Sequence, residues 1–191
     1  MFRLSIILIV LCFIGCNNQD YSPKPKAFHR IDFPEKKFAQ AELSGCPYLF
    51  EMPAYSKVVD DNSRNAKKCW KNIVFPQFNA QLHLSYYPIT RNSTLDQLTE
   101  DARAFVFKHT TKATAIDQQK IAHSDPYTTG LAYTIQGNTA SNYQFYITDS
   151  KSHYLRGALY FNEKPNLDSI QPVLDYLKSD IQHLISTIRW K

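Results

Sequence analysis

His123, Ser124 and Asp125, followed by Pro126, bring together the residue types of a hydrolytic triad. In such a triad the hydroxyl attacks, the imidazole takes its proton and the carboxylate orients the imidazole. Adjacent residues at one strand end cannot converge on a single substrate atom, so this run does not read as a nucleophile. No Gly-x-Ser-x-Gly, His-Glu-x-x-His or Ser-x-x-Lys pattern occurs. The five glycines, Gly15, Gly45, Gly130, Gly137 and Gly157, are too dispersed to cradle a phosphate or a dinucleotide. His83, His109, His153 and His183 read as surface or hydrogen-bonded groups rather than ligands. The chain is therefore expected to carry no catalytic residue, no metal and no cofactor. An enzyme with an unfamiliar site stays open as an alternative.

The four cysteines offer different chemistry. Arg3 and the apolar run 4–14 have the form of a secretory signal, and the run is shorter than the roughly 20 residues a bilayer span needs. Phe13-Ile14-Gly15-Cys16 resembles a bacterial lipoprotein signal, in which the cysteine after a small residue is lipidated and becomes the mature N-terminus. A plain signal peptide or a signal anchor is the alternative. Lipidation of Cys16 would hold the protein on a membrane, since each buried methylene adds about 0.8 kcal/mol. Cys12 would leave with the signal. Cys46 and Cys69 then remain as a pair in an oxidising compartment and are expected to form a disulfide, with two buried thiols as the alternative. Trp70 beside Cys69 is expected to pack on that bond; a partner contact is the other reading.

Charge narrows the partners. The net charge is +5, and a processed chain loses only the positive charge of Arg3. That is a mild basic bias without a nucleic-acid-sized patch. The organisation expected is a signal at 1–15, the lipidated cysteine with a Pro/Lys spacer at 16–27, and a single domain at 28–191. Pro23 and Pro25 make the spacer extended and semi-rigid.

Alternation of apolar and polar residues, bounded by glycine and proline, predicts strands at 38–43, 48–52, 72–75, 80–87, 115–123, 130–137, 142–149 and 153–161. In 80–87 the pattern puts Leu82, Leu84 and Tyr86 on one face. Helical spacing appears at 93–109, with Thr94 and Gln97 as a capping box, and at 168–189, with Pro172 in the first turn. Val173, Leu177, Ile181, Leu184 and Ile188 form an apolar stripe that must cover a sheet face. The fold class expected is α+β, a mainly antiparallel sheet packed by two helices. Its element order resembles the PsbP/Mog1 architecture.

Three segments, 21–38, 69–88 and 155–177, together with the lipidated cysteine and its spacing to Pro-Lys-Pro-Lys, resemble the gliding motility lipoprotein GldD family of Bacteroidetes. The resemblance spans nearly the whole mature chain. It implies a cell-envelope lipoprotein needed for gliding and for the linked type IX secretion machinery, with no enzymatic activity. The partners it implies are the membrane, through the anchor, and other envelope proteins of gliding or secretion. No acidic run directly follows Cys16, Asp20 standing alone; by resemblance to the export signals of surface lipoproteins in these bacteria, this implies a domain that faces the periplasm rather than surface display. Lys24, Lys26, Arg30, Lys36 and Lys37 cluster among Phe28, Ile31 and Phe33. This strip reads either as a segment wrapped onto the domain or as a docking strip for an envelope partner, with Arg30 a two-pronged donor to a carboxylate. A carrier of a small apolar ligand, held between the aromatic strand face and a helix, is the remaining alternative.

Overall fold

The structure, a computed structural model, describes residues 30–191. The chain forms two compact units, Met1–Asp32 and Phe33–Lys191. Cys16, the spacer, Lys24, Lys26 and Phe28 lie outside the described residues. In the first unit, Arg30 Nε lies 3.0 Å from Asp32 Oδ1, both side chains being largely solvated.

The second unit opens with three short strands, β1 (Phe38–Gln40), β2 (Tyr48–Leu49) and β3 (Glu51–Pro53). Next come β4 (Lys57–Asp60), β5 (Lys71–Phe75), β6 (Ala80–Pro88) and helix α1 (Leu95–Phe107). A meander of β7 (Ala113–Lys120), β8 (Thr129–Gly137), β9 (Tyr143–Thr148) and β10 (His153–Phe161) leads to α2 (Leu167–Thr187) and β11 (Arg189–Trp190). Strands 4–10 make one seven-stranded antiparallel sheet in the order β4-β5-β6-β10-β9-β8-β7. Two antiparallel ribbons, β1-β3 and β2-β11, stand outside it. The α+β class and the antiparallel sheet are those expected.

Register sorts the side chains. Leu82 faces Leu159, Leu84 faces Gly157 and Tyr86 faces Leu155 across β6 and β10. Phe145 and Ile147 of β9, and Ile73 of β5, continue the same face. Leu82, Leu155, Leu159, Ile73 and Ile147 are fully buried there. On α2, Leu174, Leu177, Ile181, Leu184 and Ile185 are buried. Lys178 of α2 donates to Thr134 Oγ1 at 2.8 Å and lies over the Tyr143 ring, which sets the helix across this face. Each such leucine or isoleucine contributes about 1.5–3 kcal/mol by leaving water, so this interface is the main source of stability. Gly157 is required inside it, because a Cβ there would sit 2.1 Å from the Phe145 ring.

The opposite face is only partly covered. Leu98 and Ala102 of α1 pack on Tyr154, and Val106 packs on Tyr133 and Ile135. The Thr94–Gln97 capping box forms as expected and sets where α1 starts. Other boundaries differ from the sequence pattern. The run 48–52 is broken between Leu49 and Glu51 into strands with different partners, and β4 carries no pattern that announces it. Pro172 lies beyond the first turn, because α2 begins at Leu167. That helix stops at Thr187, where Arg189 and Trp190 turn to pair with Leu49 and Tyr48.

Candidate functional site

The basic strip is not uniform. Lys36 turns inward: its Nζ lies 2.8 Å from Asp180 Oδ1 and 2.6 Å from Ser179 Oγ, over the Tyr176 ring. Asp180 is 1% exposed, and the Tyr55 hydroxyl donates to its other oxygen. Burial and then that bond hold the Tyr55 hydroxyl far above its ordinary pKa. Tyr176 donates to the Pro34 carbonyl at 2.6 Å, and Phe33 stacks on Tyr176 with centroids 4.5 Å apart. The segment from Phe33 to Lys36 is thus fastened to α2. A buried carboxylate requires a cation, and Lys36 supplies it. Lys37 instead points to solvent and pairs with Glu35 at 2.8 Å.

Lys36→Gln should therefore lower stability, while Lys37→Gln should not. Removing one member of a fully buried pair costs about 3–5 kcal/mol. The Lys36 side chain is 38% exposed, so solvent screening reduces this to roughly 1–2 kcal/mol. Thermal melts should show a drop of roughly 4 °C for Lys36→Gln and almost none for Lys37→Gln. Equal melting of the two variants would remove Lys36 from its structural role.

Cys46 and Cys69 are bonded, with Cα atoms 5.4 Å apart. Trp70 lies against Tyr87, and its indole N–H donates to the Tyr86 carbonyl at 2.9 Å. The His123–Pro126 run forms a turn. Asp125 accepts from the Tyr127 amide at 3.0 Å and the Thr128 hydroxyl at 2.7 Å, and these bonds hold its carboxyl below the usual range. His123 Nδ1 accepts from the Asp125 amide at 3.0 Å, and Ser124 faces solvent. His153 meets the Tyr86 hydroxyl at 2.9 Å, and His183 meets Glu51 at 2.7 Å. These contacts position strands and turns.

The side chains that do converge come from five separate segments on the sheet face opposite α2. Arg156 of β10 sits in register with Ser85 of β6 and Tyr146 of β9. Its Nη2 donates to Gln144 Oε1 at 2.8 Å, and its guanidinium lies 4.4 Å from the Phe105 ring centroid on α1. Gln144, 2% exposed, donates onward to His109 Nε2 at 3.2 Å, just past α1. His83 contacts Gln81 at 3.1 Å and meets the Tyr160 ring edge-on. Burial, and then the charge of Arg156, lower the pKa of His109. Burial also lowers that of His83, where Asp61 opposes the shift and Arg156 reinforces it. Asn72 pairs in register with His83, and its buried Oδ1 has no hydrogen-bond partner among the described residues. Among the described residues no ion pair involves Arg156. One guanidinium, flanked by two imidazoles that favour neutrality, is chemistry for receiving an anion.

The sequence reading did not single out this cluster. Its members lie far apart in the chain, from Asn72 to Arg156, and share no local spacing. The available signal was Arg156 itself, the one charge within the otherwise apolar and aromatic strand His153–Phe161.

Fold and surface together define a disulfide-bonded α+β domain whose polar chemistry lies on an open sheet face and on a fastened N-terminal segment. The chain belongs to the family described as gliding motility lipoprotein GldD, whose family model matches residues 18–190. It is thus a lipoprotein of the cell envelope. No curated protein matches it. The solution structure of cyanobacterial PsbP (CyanoP) from Synechocystis sp. PCC 6803 is similar at 11% identity and a TM-score of 0.46, covering 89% of this chain and 100% of that one.

Proposed function

We propose that this lipoprotein is a non-enzymatic accessory component of gliding motility and of the linked type IX secretion machinery. It acts through protein–protein contacts, is anchored by lipid on Cys16, and faces the periplasm. The observation that carries the reading, beside the family, is how the domain is filled. The centre of the space between α2 and the sheet is occupied by Leu82, Leu155, Leu159, Leu177 and Ile181, all at most 1% exposed; the clefts left beside it, between α2 and β8, are about 170 and 260 Å³, below the roughly 300–1,000 Å³ of small-molecule sites. A carrier would need that volume for its ligand, so the surface is left as the working part. The strip divides accordingly. Lys24, Lys26, Arg30 and Lys37 are assigned to docking, and Lys36 to holding the segment in place.

The test has two arms in living cells. Cys16→Ala should leave an unprocessed precursor without acyl label and stop gliding. A variant with Lys24, Lys26, Arg30 and Lys37 changed to Gln, keeping Lys36, should stay anchored and melt normally, because exposed charge pairs contribute only about 0–1 kcal/mol. It should nevertheless lose gliding and its crosslinks to envelope proteins. Normal acyl labelling of Cys16→Ala would refute the anchor, and normal gliding by the four-residue variant would refute the docking role of the strip.

A further inference from the structure

The open face around Arg156 has no role in the reading above. A guanidinium offers five N–H donors in a planar fork. Here one is spent on Gln144 at 2.8 Å, and no carboxylate among the described residues takes the others. The group is also held in place. Gln144 is nearly inaccessible and tied on its far side to His109, and the Phe105 ring lies 4.4 Å from the guanidinium. A fork fixed in advance loses less conformational entropy when it takes a carboxylate through two parallel hydrogen bonds. Ser85, half-buried in register with Arg156, leaves a small polar side chain beside it.

We propose that this face is a second docking site, which receives an acidic segment of an envelope protein partner, with a partner carboxylate bound to Arg156. It rests on the reading that the protein works through protein contacts. Charge decides among occupants. Residues 1–29 contain Asp20 as their only acidic residue, against Arg3, Lys24 and Lys26, so the chain's own N-terminal segment is a poor match. A second mature copy, the full chain's +5 less Arg3, still brings a net positive charge and is disfavoured for the same reason. An acidic partner gains both the paired hydrogen bonds and long-range attraction.

The experiment uses the full mature lipoprotein in detergent micelles, with ring-labelled histidine and labelled arginine observed by NMR. Hexaglutamate peptide is the probe; hexaglutamine and free glutamate are controls. Hexaglutamate should shift the Arg156 Nε–Hε signal and the rings of His83 and His109, saturably, and hexaglutamine should not. Arg156→Gln should weaken binding by roughly tenfold or more, and Arg156→Lys by less, since it keeps the charge and loses the fork. Ser85→Glu places a carboxylate beside the guanidinium and should block the peptide in a protein that still melts normally. This second variant keeps the test open if Arg156→Gln misfolds. In cells, a photo-crosslinker at Ser85 should capture an acidic envelope protein, and Arg156→Gln should abolish that adduct. Unchanged peptide affinity in both variants would overturn the proposal, as would shifts confined to arginines and histidines elsewhere. Free glutamate binding as tightly as the peptide would make the face a small-anion site instead. Loss of gliding in the strip variant, with no adduct at Ser85, would leave the accessory role standing and this site refuted.

Discussion

Cys46→Ser combined with Cys69→Ser should cost the domain about 3 kcal/mol, the value the chain-entropy account gives for closing a loop of this length. The corresponding fall in melting temperature is roughly 6–12 °C. The bond does more than shorten the unfolded chain. Cys69 has a φ of +67°, a left-handed conformation that a non-glycine residue adopts only when its surroundings enforce it. Its carbonyl accepts the hydroxyl of the fully buried Tyr48 at 2.8 Å, and Tyr48 belongs to β2, the strand that pairs with the C-terminal β11. Loss of the bond should therefore loosen β2–β11 before the seven-stranded sheet. Amide hydrogen exchange at Leu49 and Trp190 would report that order. Reductant should reproduce the shift in the native protein and leave the double variant unchanged. A native protein that melts identically with and without reductant would refute this account.

Gly157→Ala should be comparably damaging, at about 3 kcal/mol, the upper part of the range for overpacking a filled core. The added methyl group would lie 2.1 Å from Phe145 Cε1, and Phe145 is 1% exposed, so the ring has no solvent to move into. Displacing it would disturb the register of Gly157 with Leu84 on one side and Phe145 on the other. A compensating change discriminates this mechanism from a general weakening of the strand. Phe145→Leu in the Gly157→Ala background should restore part of the loss, so a double-mutant cycle should show coupling of about 1–2 kcal/mol. Additive destabilisation would mean that the ring is not what the methyl group meets. Urea denaturation of all four proteins supplies the cycle.

What could be read in advance follows the range over which each force acts. Alternation along β6 and β10, and the stripe on α2, reflect burial of a regular face, so periodicity finds them. The Thr94–Gln97 box is local chemistry within one turn. In contrast, β4 and β11 exist only because Ile73 and Leu49 lie opposite them, and a short strand made by its neighbour leaves little mark on its own residues. The end of α2 departs from the helical spacing for the same reason. Helical spacing continues through Ile188, yet pairing of Arg189 and Trp190 with β2 takes the chain over. The strip shows the same limit. Composition displays Lys36 and Lys37 as equivalent neighbours, and only the presence of Asp180, 144 residues away, separates them. Arg156 carries no such local mark, because its significance lies in having no carboxylate partner among the described residues, which a linear pattern does not record.

The fastening of Phe33–Lys36 to α2 also determines where mechanical load would travel. A chain pulled from the N-terminal side of Phe33 first strains the Phe33–Tyr176 stack, the Tyr176–Pro34 bond and the Lys36–Asp180 pair. Beyond them lies the β1–β3 ribbon, where Phe38 stacks on His183, and β3 itself is tied to α2 through Glu51 and Thr187. Tension therefore enters the long helix and is spread along its length. Phe33 also lies against Phe78, in the turn between β5 and β6, so part of the load reaches the seven-stranded sheet directly while α2 takes the rest.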